Sequence, residues 1–116
     1  FEAAHSLEHL PPGHKCRNMH GHSYTVEVEM EGILDPRGFV IDYAEIDLIM
    51  TPIIGQLDHR NIDIVMNPTP STAEYLAIWF YARVQDAIMR KGAVHLNDAL
   101  VIRIWETGKT RVEYAG

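Results

Sequence analysis

Ser23 to Glu31 alternates without interruption, with Tyr24, Val26, Val28 and Met30 on one side and Thr25, Glu27, Glu29 and Glu31 on the other. A period of two marks a half-buried strand. Phe1 to His5 reads as the tail of an earlier strand, Phe39 to Ile41 as a short one, and Leu100 to Glu106 and Arg111 to Tyr114 as the last two, joined by a turn at residues 107–109. The period changes after Asp42, where Ile46, Ile49, Met50 and Ile53 recur at helical spacing. Asp42 suits the N-cap of this helix, with Glu45 as its capping-box partner. Pro52 lies inside the pattern, and an interior proline costs about 3 kcal/mol, which predicts a kink or an early end. A second helix opens at Ser71 or Thr72, carries Leu76, Phe80, Val84 and Ile88 on one stripe, and stops at Arg90-Lys91-Gly92. Loops are expected over 9–18, over 32–38 around Asp35-Pro36, and from Leu57 through Pro70. This order predicts an α+β fold, an antiparallel sheet with two helices on one face.

The length of 116 residues fits one domain, 1–116. Phe1 already lies in the strand pattern, so a few preceding residues are expected. The net charge of −6 argues against nucleic acid as a partner, and no apolar run is long enough to suggest a membrane span. The single cysteine, Cys16, excludes an internal disulfide and fits a reducing cytoplasm.

The most informative residues are His20-Gly21-His22. On a strand, side chains two apart share a face, so the two imidazoles converge, with Gly21 leaving room for close approach. His5 ends the preceding strand, and hairpin-like pairing would bring it alongside. Three imidazoles with one position open are the donor set of catalytic zinc. His9 and His14 are rival third ligands on a less ordered loop. Cys16 offers either a fourth ligand, closing the site, or a thiolate poised beside the metal. Asp58-His59 is a candidate acid–base pair in which the carboxylate orients the imidazole, provided a turn lets neighbours meet. Glu74 completes a Ser71-Thr72-Ala73-Glu74 capping box, which explains it without a ligand. Glu106 follows an apolar strand, and an inward carboxylate there matches the two donors of a guanidine-like edge, as in a pterin or guanine ring.

Taken together, these residues resemble the 6-pyruvoyl-tetrahydropterin synthase family. The likeness runs over nearly the whole chain, through Phe1–His5, His14–Cys16, His20–His22, Asp42 with its helix, Leu57–His59, Ser71–Glu74 and Glu106-Thr107. The spacing of Cys16 from the histidine pair, with three residues between, resembles the bacterial branch, the 6-carboxytetrahydropterin synthases of the queuosine pathway. Residues 107–111 match neither branch closely. The resemblance implies zinc on His5, His20 and His22, and Cys16 as catalytic cysteine with Asp58 and His59 in proton transfer. It also implies Glu106 as pterin anchor, with Thr72 and Glu74 lining the same pocket. It implies a tunnelling fold in which trimers close sheets into a barrel, two trimers stack, and sites lie between subunits. The substrate would be 7,8-dihydroneopterin triphosphate. The expected products are 6-carboxy-5,6,7,8-tetrahydropterin, acetaldehyde and triphosphate. The alternatives are the pyruvoyl-forming activity, which leaves the carbon chain intact, and a non-catalytic pterin- or metal-binding module. On charge alone, His14, Lys15, Arg17, Arg60 and Lys109 are candidates for the triphosphate.

Overall fold

The computed structural model describes residues 1–92 and 100–116. The first strand, β1 (Glu2–His5), runs antiparallel to β2 (His20–Ser23), with His5 opposite His20 and Ala3 opposite His22. The alternating run after His20 is two strands rather than one with a lead-in. At Tyr24 the chain leaves the first sheet, and β3 (Thr25–Met30) enters a second one. There β3 pairs with β5 (Leu100–Trp105), which pairs with β6 (Arg111–Tyr114), all antiparallel. Crossing between sheets does not disturb a period of two, so the pattern gave no sign of the break.

The second sheet has two different faces. Leu100, Ile102 and Ile104 point into the core, where α3 (Ala73–Arg90) packs across β5 and β6 with Leu76, Phe80, Val84 and Ile88 inward. The opposite face carries Arg103, whose guanidinium binds Glu113 at 2.6 Å, Glu27 at 3.0 Å and Glu29 at 3.5 Å. Against α3 lies α1 (Tyr43–Gly55), with Ile49, Met50 and Ile53 buried.

Several expectations change. The α1 helix runs three residues past Pro52, which sits on an exposed face, so the carbonyl it leaves unpaired can meet water. Asp42 caps α1 through the Ala44 N–H, but Glu45 turns to Arg37 instead of closing the box. Phe39 is irregular and Val40-Ile41 lie in a bend, not a strand. The expected loop after Leu57 holds β4 (Arg60–Asn61) and a short α2 (Ile62–Met66). Strand β4 pairs with β1 in parallel, the one departure from antiparallel order among the described strands.

Thr72, not Ser71, caps α3, accepting from the Tyr75 N–H at 3.4 Å, and the reading of Glu74 as third residue of a capping box lapses with that shift of register. Thr72→Ala should lower stability by about 0.5–1 kcal/mol, read as a small fall in denaturation midpoint.

Candidate active site

The β1–β2 pairing does what the His-x-His period requires. His5, His20 and His22 present ring nitrogens that all lie within 4.8 Å of one another, with ring centroids 4.6 to 5.2 Å apart. His5 is 1% exposed and the other two are half-buried. Gly21 is not forced by crowding, since a methyl there would meet only the Ala3 carbonyl, at 3.4 Å.

Two of the rings are oriented from behind. His5 Nδ1 lies 2.9 Å from the Ser71 carbonyl and His20 Nδ1 lies 2.8 Å from the Asn18 carbonyl. A carbonyl only accepts, so each Nδ1 carries the proton and each Nε2 is left unprotonated, the tautomer a metal ligand needs. Burial holds the His22 imidazole below its ordinary pKa against the pull of Glu106, and the other two rings push the same way as burial. The residues therefore fit a divalent ion of the zinc type. Among the described residues this ligand group closes at three histidines, and neither Cys16 nor the rivals His9 and His14 join it.

Cys16 lies in a short 3₁₀ turn, Lys15–Arg17, half-buried. Its N–H donates to His14 Nδ1, and its carbonyl accepts from the Leu7 N–H at 2.8 Å, which ties the turn to the chain just beyond His5. Arg17 donates to the carbonyls of Glu8 and Leu10, so its charge braces this loop rather than standing ready for an anion.

Glu106 stands 3.9 Å from His22 Nε2. It shares a cleft of about 350 Å³ with Leu7, Thr72, Glu74, Thr110 and Arg111. Three residues expected in one pocket are thus together, beside the histidines. Arg111, which the charge-based candidates omitted, brings a cation to this cleft and lies over the Trp105 ring at 5.6 Å.

Asp58 and His59 do meet. His59 takes a left-handed φ of 58°, which folds its Nδ1 to 2.9 Å from Asp58 Oδ1. Both are stapled to Glu2, whose N–H donates to Asp58 and whose carbonyl accepts from the His59 N–H. The Glu2 N–H first, and His59 second, hold the Asp58 carboxyl below the usual carboxylate range. His59 lines a hollow with Glu2, Ala4, Gly21, Ser23 and Arg60, bordered also by Ala3 and His22. Glu2, Ala4, Gly21 and Ser23 alternate with the positions bearing the imidazoles, so His59 opens mainly onto the other face of the sheet, with His22 at the margin of the hollow. Arg60 is there too, away from the Glu106 cleft.

The sequence pattern places Tyr24 only on one side of its strand. Its hydroxyl, 3.4 Å from His5 Nε2, reaches the histidine cluster, and burial, helped by Glu106 and Asp63, pushes its phenol well up.

The family model described as 6-pyruvoyl tetrahydropterin synthase matches residues 1–116. The chain belongs to the 6-pyruvoyl tetrahydropterin synthase family. Among solved structures, the Caenorhabditis elegans 6-pyruvoyl tetrahydropterin synthase is similar at 32% identity and a TM-score of 0.85, covering 100% of this chain and 89% of that one. A 6-pyruvoyl tetrahydrobiopterin synthase of Drosophila melanogaster is 33% identical, covering 100% of this chain and 75% of the relative. A 6-carboxy-5,6,7,8-tetrahydropterin synthase of Synechocystis is 30% identical over 93 residues, 75% of this chain and 70% of the relative. Relatives of both branches are thus present, and the tetrahydropterin synthase fold is that of the tunnelling type expected. No helix among the described residues is long and apolar enough to cross a membrane.

Proposed function

We propose that residues 1–116 form one catalytic domain of a zinc-dependent lyase. It would convert 7,8-dihydroneopterin triphosphate and one water to 6-carboxy-5,6,7,8-tetrahydropterin, acetaldehyde and triphosphate, in the service of queuosine-type deazapurine synthesis. The observation that carries this reading is the meeting of three imidazoles, two with Nδ1 already committed, beside a carboxylate-lined cleft. His5, His20 and His22 would hold a zinc ion, which would supply Lewis acidity toward side-chain hydroxyls of the substrate.

The protein's own groups divide the remaining work. Glu106 accepts from the two donors of the pterin ring's guanidine edge and sets the side chain toward the histidines. Thr72 and Glu74 line the ring's cleft, and Arg111 supplies positive charge for the phosphates. Cys16 and His59 move protons at the side-chain carbons, with Asp58 fixing the His59 tautomer. Because His59 opens mainly onto the sheet face away from the imidazoles of its own chain, we assign it and its partner Asp58 to the site of a neighbouring copy. The chains would assemble as trimers or stacked trimers, which also covers open sheet edges. A lone cysteine suits the reducing cytoplasm in which such an enzyme would work.

The choice of the carboxy-forming branch rests on the short Cys16-to-His20 spacing. The pyruvoyl-forming activity is the second reading, favoured by the likeness to the Drosophila and Caenorhabditis proteins so named. Incubating zinc-loaded protein with dihydroneopterin triphosphate separates them. Acetaldehyde released in step with triphosphate is the expected result. Triphosphate without acetaldehyde selects the second reading, and an unchanged substrate overturns both.

A further inference from the structure

Asp63, in the first turn of α2, uses both carboxylate oxygens. One accepts from the Ser6 N–H at 2.8 Å and the Ser6 hydroxyl at 3.0 Å. The other accepts from the Ser71 hydroxyl at 2.5 Å. These partners are not scattered. Ser6 directly follows His5, and Ser71 is the residue whose carbonyl receives the His5 Nδ1 proton at 2.9 Å, with its hydroxyl oxygen 3.2 Å from the same nitrogen. Ser71 is 2% exposed and His5 1%, so bulk water does not compete for these bonds.

We infer that Asp63 is a positioning residue for the proposed metal ligand His5, acting through Ser71; the inference rests on the metal reading above. A short, charge-assisted bond to a buried hydroxyl holds Ser71 in one orientation. The grip on Ser6 fixes the backbone immediately beyond the imidazole. Together they keep the Nδ1 proton directed at the Ser71 carbonyl and the Nε2 lone pair directed at the other two rings. An acidic residue in a helix's first turn has an ordinary explanation in the helix dipole. That explanation accounts for neither the hydroxyl of Ser71 nor the two bonds to Ser6.

The role separates from general stabilisation by what it changes. A residue that only braces the fold affects the unfolding midpoint, whereas one that orients a ligand affects metal affinity in protein that is fully folded. Asp63→Asn keeps the size but replaces one acceptor oxygen by a donor, so one of the two grips fails. Ser71→Ala keeps the carbonyl and removes the link to the carboxylate.

The test measures zinc affinity of purified apoprotein by competition with a chromophoric chelator, beside the visible spectrum of the cobalt-substituted protein. Each variant is expected to bind zinc 10- to 100-fold more weakly. The double variant should be little worse than either single one, because the two residues act in one chain. The cobalt bands should shift in the variants. Folded Asp63→Asn with wild-type zinc affinity and an unchanged cobalt spectrum overturns the inference. If Asp63→Asn does not fold, Ser71→Ala decides in the same way. Wild-type protein that binds no zinc overturns the metal reading and this inference with it, an outcome distinct from tight binding in both wild type and variants.

Discussion

His20→Ala is expected to leave the purified protein without bound metal and to lower turnover by at least about 10³-fold. The ring it removes is held by the Asn18 carbonyl on one side and meets His5 and His22 on the other. Two imidazoles do not make a zinc site of the catalytic kind, which needs three protein ligands. Lewis-acid assistance is worth several kcal/mol of barrier, and each 1.36 kcal/mol is a factor of ten in rate. His20 is half-buried on a short strand, so the variant should fold, and circular dichroism can confirm that it has. Elemental analysis and product assay then read the two effects separately. A folded variant that keeps a full equivalent of metal would refute the three-histidine assignment.

Cys16→Ala is expected to lower kcat by about 10²–10⁴-fold, the usual scale for losing a positioned acid–base group, while metal content stays at the wild-type level. The sequence left two roles open for this thiol. The cluster of ligand nitrogens forms without Cys16, which favours the second role. The 3₁₀ turn that carries it is instead tied to Leu7, a residue lining the Glu106 cleft. Loss of zinc along with activity would restore the ligand role. Unchanged turnover would refute the proton-transfer role of Cys16.

The legible parts of the chain were those where a local period fixes a face. His20 and His22 share a face because strands repeat every two residues, and the stripe from Leu76 to Ile88 is buried because helices repeat every 3.6. Pairing of His5 with His20 followed once those strands were recognised as neighbours. What escaped depends on the third dimension. The five residues of α2 are too few to show a period and are followed by Pro68. The placement of Asp58 and His59 beside β1 depends on a parallel bridge between β1 and β4, which no hairpin logic anticipates. Asp63 and Ser71 are eight residues apart, and only the fold brings both to the back of His5.

Tyr24 is the seam between the two sheets. Its backbone pairs with Phe1, its ring stacks on Phe1 at 5.0 Å, and its hydroxyl reaches toward His5. A single residue thus links the helix-covered interior to the strand bearing two of the imidazoles. Loosening of that interior on warming cannot spare their alignment, so escape of the ion should accompany the first softening of the core and precede full unravelling of the helices.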